Sequence, residues 1–238
     1  MSANRQLTRG DGRLRVTTWR GDPSTAFLTP VRGPVTTTVV ERWLADLARD
    51  GFRAVLTPAL GAADQAPFLA SGFTVHERLH LLTRDVDDLP DVQAAAGLLR
   101  RSRRTDRAHL LEVDGSAFTD FWQLDDAALA DALAATPSSR LRVADTGSAG
   151  LAGYAITGRA GPRGYLQRLA VDPAQQRRGI GTALVVDGLR WLRRWGAREV
   201  LVNTQEHNAA ALALYDALGF RRQAEGLAVL RRSVEAPW

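Results

Sequence analysis

Apolar residues recur at helical spacing most clearly in "GTALVVDGLRWLRRWG" (181–196), where Leu184, Leu189, Leu192 and Trp195 return every three to five positions and Gly196 supplies a stop. Upstream of it the spacing changes to that of strands. "SRLRVAD" (139–145), "GLAGYAITGR" (150–159) and "RGYLQRLAV" (163–171) are three strand candidates separated by Gly, Ser and Pro clusters that serve as turns. "RAHLLEVD" (107–114) predicts a short strand ahead of them, followed by two helical stretches, "SAFTDFWQL" (116–124) and "DDAALADALAATP" (125–137), the second ended by Pro137. Downstream, "REVLVNT" (198–204) predicts a strand and "NAAALALYDALG" (208–219) a helix with Asn208 as N-cap. "AEGLAVLRR" (224–232) predicts a last strand. The order β-α-α-β-β-β-α-β-α-β predicts an α/β sandwich around a mixed sheet.

Composition narrows the chemistry. With 238 residues, 45 % of them hydrophobic, the chain is long enough for two cores. It has no cysteine, which excludes disulfides, thiolate metal sites and covalent catalysis through a protein thiol. All 31 basic residues are arginine, yet the net charge is only +5, a balance that points to codon bias more than to nucleic-acid binding. The N-terminus lacks the apolar core of a signal peptide, and no uncharged apolar run approaches the roughly 20 residues of a membrane span. The expectation is a soluble, cytoplasmic protein with no nucleic-acid or membrane partner and no metal, either monomer or homodimer.

"QQRRGIGTAL" (175–184) lies where a strand gives way to a helix. A helix N-terminus carries unpaired N–H groups and partial positive charge, and glycines let an anion approach the backbone. Arg177 and Arg178 add charge suited to phosphate oxygens. Together, "LQRLAVDPAQQRRGIGTAL" and "NAAALALYDALGF" resemble the GNAT superfamily of acyl-CoA-dependent N-acetyltransferases over roughly residues 107 to 232. Gln176, Arg177, Arg178, Gly179, Ile180 and Gly181 fill the first element of its signature. Asn208, Ala211, Leu214, Tyr215, Gly219 and Phe220 fill the second.

The resemblance implies acetyl-CoA as cofactor, its pyrophosphate on the amides of residues 177 to 182 (Arg177 to Thr182) and its pantetheine arm pairing with Leu169, Ala170 and Val171. It implies an oxyanion contact from the Val171 N–H, cofactor contacts from Asn208 and Ala211, and Tyr215 as general acid to the departing thiolate. Phe118, Phe121 and Trp122 are expected in the roof of the acceptor site. With a period of two, residues 165, 167, 169 and 171 share one strand face. Many relatives place Glu or His where this chain has Tyr165 and Gln167, and ribosomal-protein N-acetyltransferases often carry Glu at the position of Asn203. The usual carboxylate is therefore absent. Glu206 and His207 are the expected bases, a water chain through Asn203 and Gln167 is the alternative, and Glu112 and Asp114 are outsiders.

"RGPVTTTVVERWLADLARDGFRAVLTPALGAADQAPFLASGF" (32–73) can be laid against residues 178–220, which suggests an internal duplication. In the first copy Pro34 follows a single glycine, Gly61 replaces the asparagine and Phe68 stands in for the tyrosine. The expected organisation is a degenerate, truncated GNAT-like domain (1–90), a linker (91–106) and an intact acetyl-CoA-binding domain (107–238). It resembles tandem GNAT proteins known from actinobacteria, and the first half is expected to pack against the second and wall the acceptor groove. The fold class is thus α/β, with two GNAT-like sandwiches around mixed, mostly antiparallel sheets. "HERLH" (76–80) matches a zinc protease motif, but on a strand its histidines would sit about 13 Å apart, too far to share a metal. "RRSRRTDR" (100–107) is expected to be a solvated connector. The predicted function is acetyl transfer from acetyl-CoA to a primary amine, on a small molecule or a protein N-terminus, by direct attack in a ternary complex. The alternative is a non-catalytic acyl-CoA-binding or sensing protein.

Overall fold

The computed structural model describes residues 5–9, 12–91, 95–147 and 150–234, and the chain divides into two compact units. One contains residues 1–81, 203–207 and 223–238, the other residues 82–202 and 208–222. Both are α/β, with mixed, mostly antiparallel strand pairing, as the sequence predicts. Among the described residues no helix is long and apolar enough to cross a membrane.

The first unit contains β1 (Arg5–Arg9), β2 (Gly12–Trp19), β3 (Asp22–Arg32), α1 (Thr37–Arg49), β4 (Ala54–Leu56), α2 (Ala62–Ala70) and most of β5 (Thr74–Asp85). The chain's last strand, β12 (Leu227–Ser233), lies between β4 and β5 in this sheet and is antiparallel to both. β3 and β4 are the parallel pair, with Thr25 opposite Ala54. Helix α1 forms because Val39, Val40, Trp43, Leu44 and Leu47 return at helical spacing and bury one face. Trp43, at 0 % exposure, anchors a core with Leu14, Leu28, Phe68 and Leu230. "HERLH" lies on β5, as the alternation around it predicts.

The second unit contains β6 (Leu99–Arg101), α3 (Arg107–Ala117), α4 (Asp126–Ala134), β7 (Ser138–Asp145), β8 (Leu151–Ala160), β9 (Arg163–Val171), α5 (Ile180–Arg194), the first four residues of β10 (Glu199–Gln205), α6 (Ala209–Ala217) and the two-residue β11 (Arg221–Arg222). Strands run in the order β10-β9-β8-β7-β6, antiparallel except for β10 beside β9. Leu184, Leu189 and Leu192 of α5 pack with Ala152, Ala155 and Val200 in one core. Leu110 and Val113 of α3 and Leu129 of α4 pack with Val143, Tyr154 and Ile156 in another. Helices thus cover both faces of the sheet, the layered arrangement the element order requires.

Two sequence expectations are corrected here. Residues 107–114 are helical, because Leu110, Val113 and Asp114 share a buried side at spacings of three and four. The strand nearest to that position is β6, within the stretch expected to link two domains. Residues 118–124 are not helical, since α3 ends at Ala117 and Phe118 turns extended. The cause is Asp114, whose fully buried carboxylate accepts the Leu124 N–H at 2.6 Å and draws the chain back across the helix end. Gln123 fixes the same turn, donating to the carbonyls of Gly115 and Phe118.

Asp114 also meets Arg168 of β9 in a two-pronged pair, Nε to Oδ2 and Nη2 to Oδ1 at 2.8 Å each. Tyr154 donates its hydroxyl to the same carboxylate, Arg168 donates to the Trp122 carbonyl at 2.6 Å, and the guanidinium lies 3.5 Å from the Phe118 ring centroid. This network ties α3 and the segment after it to β9. Removing one partner strands a buried charge, which typically costs about 3–5 kcal/mol. Arg168→Met is therefore expected to lower unfolding free energy by about that much in urea titrations, and the double variant Asp114→Asn with Arg168→Met to recover part of the loss, because it removes the stranded charge and keeps an acceptor for the Leu124 N–H.

Candidate active site

Strand β9 pairs with β8 along most of its length, but the register skips one residue: Ile156 faces Arg168 and Thr157 faces Leu166. Gln167 is the extra residue of a β-bulge, which bends a strand and increases its twist. Pairing with β10 covers only Arg163, Gly164 and Tyr165, so it ends just before the bulge. Among the described residues, Leu166 to Val171 keep one edge unpaired.

The bulge corrects the expectation that residues 165, 167, 169 and 171 share one face. Leu166, Leu169 and Val171 all pack with the α5 core, whereas Arg168 and Ala170 turn to the α3 side. Gln167 lies against Gly158 and donates to Thr136 Oγ1 at 3.4 Å. Its Oε1 is buried and has no hydrogen-bond partner among the described residues.

The direction of the backbone groups follows from the ladder. Asp172 donates to the Ala152 carbonyl at 2.9 Å, so Val171 and Gly153 form a non-hydrogen-bonded pair. The Val171 N–H and carbonyl then point away from β8, to the open edge. Gln176 donates its side-chain amide to that carbonyl at 3.3 Å. Asp172 and Pro173 end the strand in a short 3₁₀ turn, capped by the Asp172 carboxylate on the Ala174 N–H.

The turn that follows is left-handed at two residues, Arg177 (φ +60°) and Gly179 (φ +79°). Glycine adopts this conformation freely, whereas for arginine it costs about 1–2 kcal/mol. Gly179 is the N-cap of α5, and no side chain caps the helix there. The N–H groups of Ile180, Gly181 and Thr182 open the helix without intrahelical partners. A Cβ built on Gly181 would lie 3.3 Å from Leu214 and 3.8 Å from Val171, so the turn, α6 and the open strand edge converge.

The first unit has the same elements with the opposite terminus. Gly33 is left-handed, but Pro34 offers no N–H, and Thr36 caps α1 by accepting the Val39 N–H at 3.4 Å. A side chain thus already takes one of the free amides at that helix end.

Tyr215 lies on α6, whose N-terminus Asn208 caps through the Ala211 N–H at 3.1 Å. The tyrosine is 4 % exposed, its ring tilted against Phe220 with centroids 5.5 Å apart. Its hydroxyl has no hydrogen bond among the described residues, and burial pushes its pKa well above the ordinary phenol value. In the first unit Phe68 and Phe73 make the corresponding contact at 5.3 Å, without a hydroxyl.

The remaining expected residues are more dispersed. Phe118 lies under Arg168, and Phe121 meets Trp122 edge-on, in a turn and not in a roof helix. Tyr165 is half-buried on β9. Asn203, Glu206 and His207 are exposed and belong to the first compact unit, where the His207 Nδ1 is 4.0 Å from Glu77. Sequence patterns missed both the bulge and Arg168. A charged residue on an apolar strand, together with Asp114 on an apolar helix side, was the available signal for the second.

The description "Acetyltransferase (GNAT) family" belongs to the family model that matches residues 107–220. A mycothiol acetyltransferase of Mycobacteroides abscessus is 33 % identical over 162 residues, 63 % of this chain and 54 % of that protein. One of Amycolatopsis mediterranei is 46 % identical over 59 residues, 25 % of this chain and 20 % of that protein. The chain thus matches about half, or less, of the length of these relatives. Among solved structures, a tandem GNAT protein from the clavulanic acid biosynthesis pathway has a TM-score of 0.69 at 16 % identity, covering 98 % of this chain and 82 % of its own. A GCN5-related N-acetyltransferase from Kribbella flavida has a TM-score of 0.63 at 12 % identity, covering 95 % and 89 %. At such identities the likeness is one of fold. Residues 107–220 of this chain thus match the GNAT family of acetyltransferases.

Proposed function

We propose that the chain transfers the acetyl group of acetyl-CoA to a primary amine by direct attack in a ternary complex, with Tyr215 as general acid. One observation carries this reading: an uncapped glycine turn, an open strand edge and a buried, unpaired phenol converge in one unit. Acetyl-CoA, when bound, supplies an activated acyl thioester.

The residues present suit that group. The amides of residues 177 to 182, with Arg177 and Arg178 beside them, form the site for its pyrophosphate. Leu169 to Val171 offer strand pairing to its extended arm, and the outward Val171 N–H suits a developing oxyanion. Asn208 and Ala211 hold the start of α6, which carries Tyr215. Gln167, held on the bulge by Thr136, is assigned to the acceptor side, with Tyr165 and the Phe118, Phe121 and Trp122 turn as further acceptor contacts. Glu206 and His207 are the groups we assign to taking up the amine proton, by sequence position, with Asn203 as a water-holding neighbour. In the first unit, the capped α1 terminus, Pro34 and Phe68 argue against a second acetyl-CoA site.

A non-catalytic acyl-CoA-binding protein is the second reading, favoured by the absence of a carboxylate at Tyr165, Gln167 and Asn203. Free thiol release from acetyl-CoA separates the two. The amine panel should span amino acids, aminoglycosides, small amines, N-terminal peptides and the acceptor used by mycothiol acetyltransferases. Turnover with at least one amine is expected; no thiol from any of them, with acetyl-CoA binding intact, would hand the site to the second reading.

Tyr215→Phe is expected to lower kcat about a hundredfold while leaving acetyl-CoA affinity within about twofold, checked by steady-state kinetics beside calorimetry. Because burial raises the Tyr215 pKa, the proton needed from the acid stays in place past the ordinary value of 10. The pH profile of kcat should therefore show no loss between pH 8 and 10 that disappears in Tyr215→Phe. Calorimetry should give one acetyl-CoA per chain, and Gly179→Val should weaken it about tenfold or more by straining the left-handed cap.

A further inference from the structure

A second cavity, of about 1010 Å³, lies at the opposite end of α5 from the glycine turn. Its wall is formed by the stretch after β6, the outer end of β7, the apolar sides of α3 and α4, and the last turn of α5. Among the described residues seven arginines line it and no acidic residue does. β6 pairs with β7 only from Arg142 to Ala144, so the outer edge of β7 at Ser139 and Leu141 is exposed to the cavity apart from one 3.5 Å contact from the Ser102 N–H.

Among the described residues the positive charge is only partly balanced. Asp187 of α5 is shared between Arg140, whose Nη1 is 3.0 Å away, and Arg142, whose Nε is 3.3 Å away. Burial, opposed by Asp187 and reinforced by Arg142 and Arg101, holds the Arg140 guanidinium below its ordinary pKa. Arg107 pairs with Asp126. Arg101, Arg104 and Arg194 are exposed and form no ion pair among the described residues. The neighbouring Arg100 differs: it is satisfied by Asp106 and Asp145, and it holds the Asp106 carboxyl down at about 2.

Two indoles complete the cavity. Trp191 is half-buried, and Trp195, one turn later, is 58 % exposed, far more than a tryptophan with only a packing role. A cluster of guanidiniums suits phosphate oxygens, and an exposed indole suits a planar ring. The free Ser139 to Leu141 strand edge adds backbone donors and acceptors.

We propose that this cavity binds a nucleoside polyphosphate, its phosphates on Arg140, Arg101 and Arg194 and its base against Trp195. The site is separate from the glycine turn and uses none of the residues assigned to acetyl transfer. It also gives the arginine-rich stretch 100–107 a role other than that of a solvated connector.

The test is a titration of the full chain with ATP, inorganic tripolyphosphate and adenosine, by calorimetry and tryptophan fluorescence. Each titration is run without coenzyme A and repeated with saturating coenzyme A, which occupies the glycine turn. ATP is expected to bind once per chain with fluorescence quenching. The paired charge reversal Arg101→Glu with Arg194→Glu should weaken ATP and tripolyphosphate about tenfold or more. Trp195→Ala should weaken ATP at least about fivefold, leave tripolyphosphate within about twofold and remove the quenching. Four results overturn the proposal: no saturable ATP binding below about 1 mM, binding that survives the charge reversal, ATP binding that coenzyme A abolishes, or binding of single-stranded oligonucleotides without mononucleotides. Comparing coenzyme A affinity in the charge-reversed chain, expected unchanged, verifies that the variant is folded.

Discussion

The extra residue at Gln167 constrains the rest of the second unit. A strand that gains one residue against β8 has to bend, and β9 loses β10 as its partner at the same place. The bend has two consequences for chemistry. It leaves the Leu166 to Val171 backbone with one free side, and it reassigns which side chains face which helix layer. Leu169 and Val171 join the α5 core while Arg168 reaches Asp114 on the opposite face, so the bent strand is held from both sides. The Asp114 carboxylate accepts from Arg168, Tyr154 and the Leu124 amide, so both of its buried oxygens are satisfied.

The two units share an element plan and differ in how their first long helix begins. Thr36 turns its hydroxyl onto the α1 amides, and Pro34 removes another donor, so the dipole of that helix is answered internally. Gly179 has no side chain to do the same for α5, and Arg177 accepts a left-handed conformation just ahead of it. The aromatic pairs follow the same contrast. Phe68 with Phe73 and Tyr215 with Phe220 fill equivalent corners, but only the second pair brings an ionisable proton into the interior.

Much of this was legible in the chain itself. Helices α5 and α6, strands β7 to β10 and β12, the Asn208 cap and the stop at Gly196 follow from spacing and punctuation, because each is decided by neighbours a few residues away. What escaped was set by distant partners. Residues 107–114 have no periodicity that separates helix from strand until Leu110 and Val113 meet the sheet. The turn at 118–124 depends on one carboxylate, and the bulge on a register that no single strand contains. Sequence spacing brought Glu206, His207 and Asn203 into view as chemically suitable groups, and only their exposure and compact unit were added by the fold.

An unpaired strand edge is a template for any extended backbone, including that of another protein molecule. The run from Leu166 to Val171 is apolar enough to invite such pairing, and its protection is modest: the Gln176 amide over the Val171 carbonyl, and Pro173 just past the end. Whatever occupies that edge therefore also shields the chain from self-association. A ligand that pairs with this edge would thus also act as a brake on aggregation.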